Sequence, residues 1–201
     1  MTISTPDWER AADRLEEVLR GELKHRGDIP LHSPKFTDDD RAKVDRCFTT
    51  GWVSSVGPDV DEFEALVAEA AGVAHGVAIV NGTAALQAGL IALGLKSGEA
   101  VICPALTFIG TANAICHAGG VPIFVDSDRE TLGIDPSKLR DLLSEECVRG
   151  EEGPVHTATG ARIAGIVVVD IFGHPVDIDP IRTIAEEFGL FVIEDAAESL
   201  G

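Results

Sequence analysis

The sequence predicts an α/β protein: a mostly parallel sheet with helices on both faces, preceded by a helical segment. Two observations carry this reading. From residue 73 onward, short β-branched runs alternate with helix-length stretches. Residues 70–95 and 100–125 also contain no Asp, Glu, Lys or Arg. Such lengths would permit a membrane span. However, Asn81, Gln87 and five glycines interrupt the first, and Pro104, Asn113, Gly119-Gly120 and Pro122 interrupt the second. Both therefore break into strand-sized and helix-sized pieces of a buried core.

The elements follow in order. Thr5 can cap a first helix, with Pro6 at its first position. Trp8, Ala11, Ala12, Leu15, Val18 and Leu19 then recur at helical spacing up to Gly21. A second helix follows Thr37, with Asp38, Asp39 and Asp40 in its first turn, where the dipole favours negative charge. Val44, Cys47 and Phe48 form its apolar stripe. Residues 51–58 hold two glycines and a proline and read as an exposed loop. A third helix carries Val60, Phe63, Leu66, Val67 and Ala70 and closes at Gly72. Five strands are then expected, at 77–80, 100–102, 121–125, 163–169 and 190–193. Helices separate them, through Leu95, through Ala118, near 136–143 and near 178–188. Residues 144–162 are polar and without a clear period, and read as an exposed excursion.

Composition narrows the function. Asp and Glu outnumber Lys and Arg 34 to 16, a formal charge of −18. That opposes nucleic-acid binding and docking on an anionic membrane. The absence of tyrosine, with only two tryptophans, argues against a base-stacking platform. Cysteines at 47, 103, 116 and 147 include no C-x-x-C pair, which fits a reduced intracellular protein. Met1–Arg10 is polar and lacks the apolar core of a leader, so a cytoplasmic location is expected. Cys116 beside His117 has no second ligand pair. It reads as a small buried cysteine on a helix, and no metal is expected.

In open α/β sheets ligands bind at the carboxyl ends of the strands. The candidates are Asn81-Gly82-Thr83, Pro104–Phe108, Asp126, Asp170–His174 and Glu194–Glu198. Gly82 lets backbone approach an anion, Thr83 offers a hydroxyl, and first-turn amides point the same way. The same residues also suit an ordinary helix cap. Neither a Walker A loop nor G-x-G-x-x-G is present, so a nicotinamide-dependent oxidoreductase ranks last. Asp195 suits a helix cap or a carboxylate facing a cationic ring nitrogen. Phe108 suits the core or a ring stacked on a flat cofactor.

Several segments occur together, and in order: Gly51-Trp52-Val53-Ser54-Ser55-Val56-Gly57, Asn81-Gly82-Thr83-Ala84-Ala85-Leu86, Pro104-Ala105-Leu106-Thr107-Phe108, Phe124-Val125-Asp126, Phe172-Gly173-His174-Pro175-Val176-Asp177 and Ile193-Glu194-Asp195-Ala196-Ala197-Glu198. Over about residues 28–201 this resembles the DegT/StrS-type sugar-nucleotide aminotransferases. These have the fold-type I pyridoxal phosphate architecture. The wording looks most like the 4-amino-sugar branch of the bacillosamine or legionaminic acid type.

The resemblance implies that Gly82, Thr83 and Ala84 hold the phosphate of pyridoxal 5'-phosphate. It implies that Phe108 stacks on the pyridine ring and that Asp195 pairs with its nitrogen. Glu198 stands where relatives often have Gln or His near the cofactor's 3-hydroxyl, and His174 where many have Gln. Ser54 and Ser55 fall on the substrate side. The implied substrates are a keto sugar nucleotide and an amino donor, glutamate, and the implied assembly is a homodimer. Residues 1–72 would form the helical and substrate-side segment, and 73–201 the first part of the cofactor-binding domain. Relatives continue into a Ser-Phe-x-x-x-Lys-type segment, whose lysine forms the Schiff base, and a C-terminal domain. Lys24, Lys35, Lys43, Lys96 and Lys138 stand in no such motif. Transaminase turnover is therefore not expected of these residues alone, and a non-catalytic phosphate-ligand or subunit-binding role is the alternative.

Relatives also place the first strand beside strands later in the chain, so its backbone groups here are expected to lack partners. Sedimentation and thermal melting should show a dimer, a larger assembly or a poorly cooperative monomer. A monodisperse monomer with one sharp, reversible transition would overturn this expectation.

Overall fold

The computed structural model describes residues 8–23 and 34–200. The chain divides into two units, residues 1–54 and 55–201. The first holds α1 (Trp8–Leu23) and α2 (Asp38–Thr50). The expected cap at Thr5 and Pro6 lies outside the described residues. A capping box opens α2. Thr37 Oγ1 accepts the Asp40 N–H at 3.2 Å, and Asp40 Oδ2 accepts the Thr37 N–H at 2.7 Å. Gly51, in the left-handed region, ends the helix. Residues 51–56 are exposed, as expected of a loop.

The second unit contains α3 (Pro58–Ala71), α4 (Gly82–Ala92), β1 (Ala100–Pro104), α5 (Ile109–His117), β2 (Val121–Val125) and α6 (Pro136–Glu145). It continues through β3 (Cys147–Gly150), β4 (Gly153–His156), β5 (Ile163–Val169), α7 (Ile178–Phe188) and β6 (Phe191–Asp195). Four strands form one parallel sheet in the order β2-β1-β5-β6. Both faces are covered, as the sequence predicts. Leu139, Leu142 and Leu143 of α6 and Ile181 and Ile184 of α7 pack on one face. Leu90 of α4 and Ala114 and Ile115 of α5 pack on the other.

The period-2 pleat of β1 sends Ala100 and Ile102 to the first face and Val101 and Cys103 to the second. In β5 the alternation is broken once. Ala100 pairs with Ile163 but Val101 pairs with Gly165, a bulge that inserts one residue. Ile163 and Ile166 consequently reach the same face, as do Ala164 and Val167. All seven residues of β5 are buried, which explains the near-continuous apolar run in the sequence.

Two expectations are corrected. Residues 77–80 form no strand: they run without a ladder partner among the described residues, and Val80 is 88% exposed. The apolar run has the composition of a strand, but a strand also needs a neighbour. One amide there is met by a side chain instead, the Ala78 N–H donating to Glu64 Oε1 at 2.8 Å. The excursion at 144–162 contains the antiparallel hairpin β3–β4, with Arg149 opposite Pro154. Its strands have four residues each, too short for periodicity to register. It is tied down by Arg162, whose guanidinium bonds the buried Glu99 carboxylate at 2.9 Å and the Glu152 carbonyl at 3.1 Å.

Gly165 is required by close approach, because a Cβ there would collide with the Phe191 ring on β6. Gly165→Ala should destabilise the second unit by about 1–3 kcal/mol, the usual cost of forcing extra volume into a packed core. A lower urea midpoint at unchanged slope is the expected result.

Candidate functional site

The strand order reverses at β1: the chain moves outward to β2 and returns to β5 on the other side. Such a reversal leaves a crevice at the carboxyl ends of the strands. A cavity of about 540 Å3 opens there. Its walls come from four places: the start of α4 (Asn81, Gly82, Thr83, Leu86), the segment after β1 (Leu106–Phe108, with Gly110 and Thr111 of α5), the exit of β5 (Val169–Phe172), and the segment from the end of β6 (Asp195, Ala197, Glu198).

The α4 wall is a helix N-terminus. Asn81 is its cap: the side-chain Oδ1 accepts the Ala84 N–H at 2.8 Å, and the main-chain carbonyl accepts the Ala85 N–H. Of the expected Gly82–Ala84 cradle, Ala84 thus already has an internal partner and does not line the cavity, whereas Gly82 and Thr83 do. A first helical turn presents free amides and a partial positive charge. Among the described residues no Lys or Arg lines this cavity, so its positive potential comes from backbone amides at helix N-termini, α4 among them.

Phe108 caps α5 with its backbone, and its side chain is 74% exposed in the cavity wall. It is not a core residue. Gly110 makes its placement possible: a Cβ there would lie 2.8 Å from Thr83 Oγ1 and 2.9 Å from the Phe108 ring. Beneath them, Thr107 Oγ1 and the buried Thr111 Oγ1 are hydrogen-bonded at 2.9 Å. Gly110 carries no motif of its own in the sequence, and only the packing of these two walls reveals it.

The opposite wall is acidic. Asp195 ends β6 and is half-buried, its Oδ1 accepting the Ala197 N–H at 3.2 Å. It therefore closes a turn rather than capping a helix, and it also lines the cavity. Burial raises its carboxyl above the usual range against that hydrogen bond, and the charges of Glu198 and Asp170 add to the rise. Asp170 is 3% exposed. Its Oδ1 accepts the Val176 N–H at 2.9 Å and its Oδ2 the Ser199 hydroxyl at 2.7 Å. Glu198 Oε2 accepts the Phe172 N–H at 2.7 Å.

His174 and Asp126 do not line the cavity. His174 is exposed and reaches only its neighbour's carbonyl, Pro175 O, at 3.4 Å. Asp126 bonds the Ser127 N–H beyond β2. Ser54 and Ser55 are exposed at the boundary of the two units, and Ser55 does not line the cavity. Cys116 lies on α5 as expected but is exposed, a correction to its buried reading: it shares the helix face of Asn113 and Ile109, three and seven residues earlier, both of them exposed. Burial pushes the Cys103 thiol up to about 12, so it is no nucleophile at neutral pH. Among the described residues no cluster of His, Cys, Asp and Glu is arranged to hold a metal, and no helix is long and apolar enough to cross a membrane.

The raised Asp195 carboxyl has a stability consequence. A group held above its unfolded value contributes stability fully below the unfolded pKa and loses it as pH rises through the folded one. Asp195→Asn keeps the acceptor for Ala197 and removes the ionisation. Without ligand, its melting temperature should exceed that of the wild type at pH 7, and the gain should vanish as pH falls below the ordinary carboxylate range. Melting curves from pH 3 to 8 measure this directly.

Comparison with known proteins places this geometry in a family. The chain is 37% identical over 173 residues to a GDP-perosamine synthase of Caulobacter vibrioides, a match covering 86% of this chain and 42% of that protein. It superposes with a TM-score of 0.70 and 34% identity on DesI, solved in the presence of its TDP-sugar product, covering 91% of this chain and 44% of that one. It superposes with a TM-score of 0.67 and 28% identity on NtdA from Bacillus subtilis, solved with bound PMP, covering 94% and 43%. The chain thus spans less than half the length of these relatives. Residues 34–201 match the model of the DegT/DnrJ/EryC1/StrS aminotransferase family. The fold is that of the fold-type I pyridoxal phosphate enzymes, and the chain belongs to the DegT/DnrJ/EryC1/StrS aminotransferase family.

Proposed function

We propose that this chain is the cofactor-binding part of a pyridoxal phosphate aminotransferase that aminates a keto sugar nucleotide, of the 4-amino-sugar type, with glutamate as donor. The observation that carries the reading is the polarity of one cavity. Free helix-terminal amides stand at Gly82 and Thr83, and a half-buried carboxylate stands at Asp195, with the Phe108 ring also in the wall. These residues fit the cofactor. Gly82 and Thr83 would hold its phosphate, Phe108 would cover its ring, and Asp195 would hold a proton on the ring nitrogen. When bound, the cofactor supplies an electron sink for amino transfer. The protein's share is to seat the anion without a basic side chain, and to keep Asp195 ionised opposite a positive group that offsets the cost of its burial.

The same proposal makes residues 1–72 the substrate-side segment, with Ser54 and Ser55 toward the sugar. It makes the working assembly a homodimer and its location the cytoplasm. Support for the sugar nucleotide comes from the names of the relatives, the GDP-perosamine synthase and DesI with its TDP-sugar product.

One observation favours binding without turnover by these residues alone. The two lysines of the second unit lie away from the cavity: Lys96 Nζ pairs with Glu152 at 3.3 Å, and Lys138 is exposed on α6. Proton transfer at the reacting carbon needs a positioned amine or equivalent base. Incubation with pyridoxal phosphate, glutamate and a 4-keto-6-deoxy sugar nucleotide is expected to give no product.

Binding is tested with pyridoxamine 5'-phosphate, which carries the phosphate and ring but forms no covalent link to surface lysines. Saturable binding by equilibrium dialysis is expected, weakened about 10- to 100-fold by Asp195→Ala, as for loss of a charged hydrogen bond, and competed by inorganic phosphate. Equal binding by wild type and Asp195→Ala would overturn the assignment.

A further inference from the structure

Phe172 is the residue whose conformation the established fold leaves unexplained. It follows β5 at φ +57°, one of two non-glycine residues with positive φ among those described. A bulky residue held there is strained, and such strain persists only where surroundings impose it, often at functional sites. Its side chain is 65% exposed and lines the cavity, so no core packing holds it.

The restraint comes from the segment after β6. The Phe172 N–H donates to Glu198 Oε2 at 2.7 Å. The next residue, Gly173 at φ +73°, lies so close to Glu198 that a Cβ would sit 2.8 Å from its carbonyl oxygen. On the other side, the Asp170 carboxylate binds Ser199 and the Val176 N–H, closing the turn from within. The Asp170 N–H donates to the Asp195 carbonyl at 3.1 Å. The segments 170–176 and 195–199, each of which contributes residues to the cavity wall, are thereby joined at several points.

We propose that Glu198 is a positioning residue, which holds Phe172 in the left-handed conformation and so fixes the aromatic wall of the cavity opposite α4. This rests on the cofactor reading for what the wall encloses. Glu198 acts through the Phe172 amide, with one carboxylate oxygen committed to the backbone. A glutamine retains an oxygen acceptor and can do the same; an alanine cannot.

The test uses the whole chain and two kinds of readout. In amide NMR, the Phe172 N–H of the wild type should exchange slowly with solvent. Glu198→Gln should keep the slow exchange, and Glu198→Ala should lose it. Rescue by the conservative variant, which keeps only the oxygen acceptor, is what an acceptor for the Phe172 amide requires and general packing does not. Pyridoxamine 5'-phosphate affinity should fall about tenfold in Glu198→Ala and stay within about threefold in Glu198→Gln. If Glu198→Ala fails to fold, the pair Glu198→Ala/Phe172→Gly should restore folding, because glycine accepts the left-handed conformation without strain. Unchanged exchange in Glu198→Ala, equal ligand affinity in Glu198→Ala and wild type, or failure of the glycine to rescue folding would overturn the proposal. A wild type showing the amide signature but no ligand binding would overturn the cofactor reading and leave the Glu198–Phe172 clamp standing.

Discussion

Pairing between β1 and β5 is the contact on which the rest of the second unit depends. These strands are distant in sequence, and the chain between Pro104 and Ile163 must cross to β2 on one side of β1 and then return to β5 on the other. Because the pairing is parallel, its connections cross over the faces, and both faces become buried. The single bulge at Ala164 adjusts β5 so that apolar side chains supply both cores. It also lets Gly165 admit the Phe191 ring, which seats β6 at the register that ends on Asp195.

From that arrangement the cavity follows with little further invention. Parallel strands end at one edge, so the segments after β1, β5 and β6 meet there with the N-terminus of α4. The chemistry of the cavity is divided: one wall offers backbone amides and no basic side chain, while the other concentrates Asp170, Asp195 and Glu198. Two of these acids already have structural work. Asp170 is saturated by Val176 and Ser199, and Glu198 holds Phe172. Asp195, whose one bond is the long contact to Ala197, is left as the carboxylate most open to a ligand. Burial raises its carboxyl, the charges of Glu198 and Asp170 add to the rise, and a positive partner in the cavity would relieve it.

Much of this was legible in the residues. The alternation of apolar runs and helices announced a parallel sheet with two covered faces, because burial on both sides leaves no polar stripe to blur the pattern. Gly82, Thr83, Phe108, Asp195 and Glu198 all followed runs expected to be strands, and all reach the cavity, although the run before Gly82 is not one. The failures share a physical origin. The run 77–80 has the composition of a strand, yet a strand is a relation between two segments, and no described strand pairs with it. The β3–β4 hairpin has the opposite problem, with four-residue strands whose pairing partner is near but whose pattern is too short to read.

What the sequence determined by itself was therefore local: where helices begin and end, which runs are apolar on both sides, and which polar residues stand at the ends of strands. Asn81, followed by Gly and Thr, is a cap by the chemistry of its own side chain. The tertiary structure alone decided the relations across the cavity. The need for glycine at 110 comes from Thr83 and the Phe108 ring, the left-handed backbone of Phe172 from a carboxylate 26 residues later, and the raised Asp195 carboxyl from its own burial and the charges of Glu198 and Asp170. Close approach, strain and electric field depend on distances between remote segments, and no sequence pattern encodes those until the sheet has brought the segments together.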